Sequence, residues 1–522
     1  MDRKWWTLIA VSLAIFMLLL DITVVNVALP DIQHDLHSSF QDLQWVVDAY
    51  ALTLAAFLLT AGSAADIRGR RLVFVTGLVV FTTSSAVCGL SSSALMLNIA
   101  RAVQGTGGAM MFATSLALIA QAFSGRERAT AFGVFGAVTG AAVAVGPLIG
   151  GIITTGIGWQ WIFYVNVPIG IAAVIVSLTR VEESFDPTCT GIDWPGFVTF
   201  SGSLFLLVFA LVRGNDVGWG STEIVAMLAG ALALMVAFVV IERRSSCAMF
   251  ELALFRRPTF TGANIVAFTL SSSIFSMFLY LTLYIQDVLG FSPLQAGLRF
   301  LPITLLSFAV APFAGRLIVR VPVRLLLGCG LVLVSAGLFL MTGVSNTSEW
   351  TVLIPGFIAA GAGIGLINPP LAATAIGVVP PNRSGMASGI NSTFRQVGIA
   401  TGIAALGAIF QHSIIKQASS ALAASGHAPQ VVAAAHGNLG TVLESGGVRT
   451  FAQHLPTAAR TALIGAYHGA FTTALDDILV IAACVALVGA LCAFWLIRAA
   501  DFQAGSHAAP AEAPEAAAGV AA

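Results

Sequence analysis

Fourteen apolar runs of about 20 residues recur from one end of this chain to the other, each long enough to cross a ~30 Å hydrocarbon core, with short polar breaks between them. Their centres lie near Phe16, Ala55, Val80, Ala109, Val143, Ile169, Leu206, Leu232, Ile274, Leu305, Val332, Ala360, Ala400 and Leu487. That pattern predicts an all-α polytopic membrane protein. Composition agrees: hydrophobic residues make up 57% and charged residues 9%, against roughly 25% charged in a soluble globule. Mean hydropathy is +0.92.

Lys and Arg near helix ends are retained on the cytoplasmic side. With the N-terminus inside, 17 of the 24 Lys+Arg fall on one face, and only Arg213, Arg299, Lys416, Arg449 and Arg460 on the other. Both termini are therefore expected in the cytoplasm, in a multi-pass protein of the inner or plasma membrane. The first run opens with Arg3 and Lys4 like a signal peptide, but it is too long and lacks a small-residue cleavage pattern, so it is read as retained. The six cysteines show no CxxC spacing and imply neither disulfide nor metal. A formal charge of 0 gives no basis for nucleic-acid binding.

The spans divide into an N-terminal six-helix unit (1–180), a linker carrying two additional helices (181–258), a C-terminal six-helix unit (259–500) and a tail (501–522). The Ala/Gly/Ser/His-rich stretch 411–470 reads as an extracytoplasmic loop, and the Ala/Pro/Glu-rich tail as disordered.

Solute movement needs an energy source. The phosphate loop GxxxxGK[ST] requires a Gly-Lys pair, but the two lysines, Lys4 and Lys416, follow Arg3 and Ile415, so ATP hydrolysis in this chain is excluded. Neither HExxH nor GxGD occurs, which argues against an intramembrane protease. An ion gradient remains.

The chemistry-bearing residues sit inside the spans. In LDITVVNVALP, Leu20 to Pro30, Asp21 places a carboxylate in lipid, where a charge costs about 2.5 to 3.5 kcal/mol on insertion scales and ordinarily meets a partner, a water-filled cavity or a moving proton. In the fourth span, LNIARAVQGTGGA carries Arg101 and Gln104 among glycines. At 1.5 Å per residue Asp21 lies about 12 Å and Arg101 about 10 Å from the same face, so the two are level and are expected either to pair or to compete for one proton. A purely structural buried ion pair is the plain alternative. Asp48, about 5 Å below Trp45, is placed at the outer mouth. GSAADIRGRR, Gly62 to Arg71, is a basic turn between two helices, with a weaker echo at GRLIVRVPVR, Gly315 to Arg324, that points to an internal repeat. The fifth span, FGVFGAVTGAAVAVGPLIGGII, combines small-xxx-small ridges with Pro147, as suits a helix that rocks against a neighbour. In the thirteenth span Asn391, Arg395 and Gln396 punctuate small residues. Tyr280 and Tyr284 come near the outer end of the ninth, where an aromatic belt accounts for most such residues. Asp476 and Asp477 read as the wetted start of the fourteenth.

These residues resemble the major facilitator superfamily. Gly62, Asp66, Gly69, Arg70 and Arg71 match its cytoplasmic loop signature. Arg101, Gln104, Gly105 and Gly107 resemble its fourth-helix proton-coupling motif, and Gly146, Pro147, Gly150 and Gly151 the antiporter motif of its exporters. LDITVVNVALP is similar to the first-helix signature of the 14-helix drug:proton antiporters, and WVVDAY, Trp45 to Tyr50, to the second helix of the quaternary-ammonium exporters. The pattern departs at Ala64, Ile67 and Ala142.

The resemblance implies a major facilitator fold, two six-helix bundles with two extra central helices. It also implies alternating access and proton-driven export of hydrophobic, cationic drugs or toxins, without metal or cofactor. On that architecture Asp21, Arg101 and Asp48 are expected to couple protons. Asp21, Asp48, Asn26, Gln104, Tyr280, Tyr284, Asn391 and Arg395 are expected to line a substrate cavity. The glycine and arginine motifs, with Asp66 and Pro147, are expected to govern conformational change. Exchanging a monovalent cation for one proton moves no net charge, so a second acid would recover the ~2.3 kcal/mol per 100 mV that the potential offers. A monomer is expected. Dedicated export of one endogenous metabolite is the runner-up. A membrane sensor or lipid-modifying enzyme would need an effector domain or catalytic constellation that the sequence lacks.

Overall fold

The computed structural model describes residues 2–123, 125–184, 193–245, 250–318, 320–345, 348–379, 384–425, 429, 431, 434 and 448–502. Inside a bilayer each backbone N–H and C=O must be bonded within its own segment, and the chain meets this with helices. The first six are α1 (Arg3–Leu36), α2 (Phe40–Arg68), α3 (Arg70–Gly89), α4 (Ala94–Ala122), α5 (Gly125–Ile157) and α6 (Asn166–Arg180). Next come α7 (Trp194–Val217) and α8 (Thr222–Arg244). The last six are α9 (Pro258–Val288), α10 (Pro293–Leu317), α11 (Val323–Leu340), α12 (Ile354–Gly377), α13 (Ser384–Ala424) and α14 (Thr457–Leu496). Thirteen helices among the described residues are long and apolar enough to span a membrane, and the 33-residue α5 supplies the remaining place. Every span centre read from the sequence falls inside one of them.

Local signals set the helix ends. Ser39 and Asp42 form a reciprocal capping box at the start of α2, and Ser292 with Gln295 does the same for α10. Ser93, Asp193 and Ser221 cap α4, α7 and α8. Between α2 and α3 the whole connection is Gly69, at φ 114°, which a residue with a Cβ would adopt only under strain.

The repeat is visible in which helices touch. In the first unit α4 packs on α2 and α3, and α1 on α5 and α6; in the second, α12 packs on α10 and α11, and α9 on α13 and α14. The bundles meet along two seams, α2 against α13 and α5 against α10. The pair α7–α8 is inserted between the repeats in sequence and lies outside them in space, with α7 resting on both α2 and α13.

The start of α1 and the end of α14 lie on one face, here the termini face; the α1–α2 connection lies on the opposite, far face. In the far half the bundles are joined by Gln44 Nε2 donating to Ile403 O (3.1 Å), Gln286 Nε2 to Val27 O (2.7 Å) and Leu294 N to Thr155 Oγ1 (3.0 Å). α1 is enclosed by α4, α5, α6 and, across the seam, α9. Yet Phe16, Leu19, Ile22 and Asn26, spaced three or four residues apart and so along one stripe of α1, stay partly exposed.

The stretch 411–470 differs from the loop read in the sequence. α13 continues to Ala424, a short helix covers Val448–Gln453, and α14 begins at Thr457. Alanine is the strongest helix former, and low hydropathy alone concealed its effect here. Asp476 and Asp477 consequently stand well inside α14. Asp476 Oδ1 accepts from Gly343 N (3.0 Å) and Asp477 Oδ2 from Ser413 Oγ (2.8 Å). The tail beyond 502 lies outside the described residues.

Candidate functional site: a charged network, a sealed acid and an open arginine

Asp21 and Arg101, level in depth, pair: Arg101 Nη1 stands 2.5 Å from Asp21 Oδ2, the first of the two expected arrangements. Gln104 Nε2 donates to Asp21 Oδ1 at 2.9 Å while its Oε1 accepts from Arg101 at 2.8 Å. Asn166 of α6 adds a third donor to the carboxylate at 3.1 Å and also reaches Ser85 of α3. Arg101 Nε donates to Val46 O (3.0 Å), and its guanidinium lies 4.2 Å from the Tyr50 ring centre, a cation–π contact. Asp21 is 2% exposed, Arg101 1% and Gln104 0%. This corrects the cavity placement of Asp21 and Gln104. The i, i+3 spacing that puts Arg101 and Gln104 on one face of α4 directs both into the first bundle, where they tie α1, α2, α4 and α6 together.

Asp48 is the contrast. It is 0% exposed, and neither carboxylate oxygen has a hydrogen-bond partner. Val46 and Tyr50 face Arg101, so Asp48, between them in sequence, faces the other way. It shares that side of α2 with Gln44, one turn earlier, which bonds α13. Tyr280 of α9 bonds the same carbonyl, Ile403 O, at 2.6 Å. The sequence placed Asp48 at a wetted mouth; α9 and α13 instead close over it.

The remaining expected cavity residues separate. Asn26 keeps a place on the partly exposed stripe of α1, its amide bonded to Ile22 O (3.1 Å). Tyr280 is buried in the α9–α13 contact, and Tyr284 is buried with its hydroxyl on Ser345 O (3.2 Å), beyond α11. Asn391 is buried between α13 and α9, on Ala263 O and Asn264 Oδ1. These three are bonded within the second bundle. Arg395 does remain partly exposed, with Nη2 on Asn368 Oδ1 of α12 at 3.0 Å.

The glycine motifs act by contact. A Cβ on Gly146 would strike Thr23 of α1, and one on Gly150 would come within 2.9 Å of Val24 O. On the adjacent face, a Cβ on Gly151 would lie 2.6 Å from Leu294 Cα of α10, and Pro147 O occupies the space that a Cβ on Gly297 would need. α5 is thus pressed against its own bundle and against the other within one turn. In the basic turn, a Cβ on Gly62 would meet no atom within 4 Å, and the side chain of Asp66 lies outside the described residues. Arg70 N donates to Ser184 O (3.0 Å), while Arg71 N (2.9 Å) and Leu72 N (3.2 Å) donate to the Glu183 carboxylate. Glu183 thereby caps α3, which its position in a linker did not disclose; Gln44, Asn166 and Gln286 were visible only as isolated polar residues in apolar runs.

Comparison with known proteins agrees with this architecture. A sequence profile described as Major Facilitator Superfamily matches residues 11–403. The chain is 37% identical over 404 residues to the multidrug resistance protein Stp of Mycobacterium tuberculosis, covering 77% of this chain and 75% of Stp. It is 31% identical over 498 residues to the tetracenomycin C resistance and export protein of Streptomyces glaucescens, covering 95% and 92%. Among solved structures, a bacterial homologue of the human lysosomal transporter Spinster, inward-facing and unoccupied, superposes with a TM-score of 0.60 at 16% identity, covering 96% of this chain and 99% of that one. With two repeated six-helix bundles, an inserted helix pair and relatives that are multidrug and antibiotic efflux transporters, this chain belongs to the Major Facilitator Superfamily, a family of membrane transporters and not of enzymes.

Proposed function

We propose that this protein exports hydrophobic drugs or toxins across the cytoplasmic membrane in exchange for protons, by alternating access between its two bundles. The termini face is read as cytoplasmic, on the basic residues concentrated there. The single observation that carries proton coupling is Asp48, sealed in the seam between the bundles without a partner. An ionised carboxylate left unpaired in a low-dielectric interior costs far more than the neutral acid. Closure of the far half over Asp48 therefore favours its protonated form, and opening would bring it to water. Arg101 grips α2 at Val46 and Tyr50 on either side of Asp48, so the Asp21–Arg101 network supports the helix that carries it. Asp21 itself is engaged by three donors and serves in this reading as the fixed countercharge of Arg101.

The test is Asp48→Asn in inverted vesicles, following proton movement when drug is added. Loss of drug-induced proton movement from folded protein is expected; wild-type rates would overturn the assignment. A dedicated exporter of one metabolite is the second reading, favoured by likeness along 92% of a protein named for tetracenomycin C resistance and export.

A further inference from the structure

Arg395 differs from every other cation buried in the helical interior. It lies 11 residues past Ser384, about 17 Å along α13 at 1.5 Å per residue, near the middle of a ~30 Å hydrocarbon layer. No carboxylate is within ion-pair distance of it among the described residues. Its one hydrogen bond is to the neutral side-chain oxygen of Asn368. The other guanidinium N–H groups are neither bonded nor buried, so they open onto accessible space. A guanidinium keeps its charge in any protein environment and offers five donors in a planar fork shaped for a carboxylate. At this depth a permanent unpaired charge is costly, and such residues face a water-filled pathway or a partner.

The surroundings narrow the partner. Asn368 is followed by Pro369 and Pro370 inside α12, which remove two backbone donors from the helix where it meets Arg395. The Phe275 ring of α9 lies 6.0 Å from the guanidinium carbon, within a π-bulge at Ser271–Phe275, a helical irregularity frequent at functional sites. Three helices of one bundle thus meet at a cation, a neutral amide that orients it and an aromatic face. In the opposite bundle Arg101 is 1% exposed and has a carboxylate, an amide and a carbonyl of its own, whereas Arg395 bonds one neutral oxygen.

We propose that Arg395, oriented by Asn368 beside Phe275, is a substrate subsite that receives a carboxylate or other anionic oxygen carried on an aromatic compound. The inference rests on the export reading and sets the charge class of its cargo: acidic aromatic compounds are preferred over their neutral esters, opposite to the cationic preference expected from the sequence.

Pyrene-1-carboxylate and its methyl ester form a matched fluorescent pair for the test. Wild-type protein should bind and export the acid about tenfold or more better than the ester, the order expected of one charge-assisted contact. Arg395→Gln should bring the ratio of acid to ester towards one, and Arg395→Lys, which keeps the charge but loses the fork, should leave it in between. Equal affinity of purified wild-type protein for acid and ester overturns the subsite, and so does a ratio that Arg395→Gln leaves intact. Wild-type vesicles that move neither compound nor any drug of a wider panel would instead remove the export reading.

Discussion

The two bundles repeat one arrangement of helices but are held together by different chemistry. The first bundle is tied by ion pairs: Asp21–Arg101 in its interior, and Arg3–Glu182, Lys4–Glu127 and Arg71–Glu183 at its termini face. The interior of the second is tied by neutral bonds such as Tyr280 to Ile403, Tyr284 to Ser345, Asn391 to Asn264 and Ser335 to Ala483, with the Asp476 and Asp477 carboxylates of α14 accepting from Gly343 and Ser413. Its buried charge, Arg395, is left open. A charge paired with a countercharge and sealed in the interior holds a scaffold, whereas one bonded to a single neutral partner can still bind. The difference assigns the first bundle the rigid part and the second the adaptable one.

The largest expected effect is within the first bundle. Asp21→Asn removes the countercharge of Arg101 and should destabilise the protein by about 3 to 5 kcal/mol, the cost of breaking a buried ion pair from one side. The double variant Asp21→Asn/Arg101→Gln should recover much of that loss. Thermal unfolding in detergent measures both, and Arg395→Gln in the same assay should fall within about 1 kcal/mol of wild type. A loss at Arg395 as large as that at Asp21 would erase the contrast.

A smaller effect is expected at the α5–α10 seam. Gly151→Leu or Gly297→Leu overpacks a contact between bundles and should cost about 1 to 3 kcal/mol. The loss should appear as opening of the far half, read as a longer distance between spin labels on the far ends of α5 and α10. Gly146→Leu, which presses on α1 inside one bundle, should lower stability without lengthening that distance. Smallest is Glu183→Gln, which weakens the charge at the start of α3 and should cost about 0.3 to 1 kcal/mol, decreasing further in high salt.

Much of the architecture was legible because lipid imposes one rule along the whole chain, and hydropathy reads that rule directly. Helical rise likewise made Asp21 and Arg101 level, since depth depends only on position within a span. Direction within the bundle depends on which helices surround a residue, and hydropathy carries no such information. Asp48 seemed to sit at a wetted mouth because nothing near it in sequence reveals that α9 and α13 cover it. Tyr284 and Asn391 were expected in the cavity because they are polar in lipid, yet their partners, Ser345 and Asn264, lie 61 and 127 residues away. The length of α13 and α14 was concealed by an alanine-rich composition that serves a helix and a loop equally well.

The helix pair α7–α8 makes the two flanks of the molecule unequal. Asn215 bonds Ala408 O of α13 at 2.5 Å, a directional tie to the second bundle. The contacts with the first bundle are between rings: Trp45 with Phe205 and Phe209, and Phe57 with Phe197. Rings can slide over one another where an amide bond to a carbonyl has to break, so the pair should travel with the second bundle while the first slips past it. The α2–α13 joint is thereby covered by the pair, and among the described residues the α5–α10 joint has no such cover. On the export reading, a lipophilic compound dissolved in the bilayer would face the helix pair on one flank and the bare α5–α10 seam on the other.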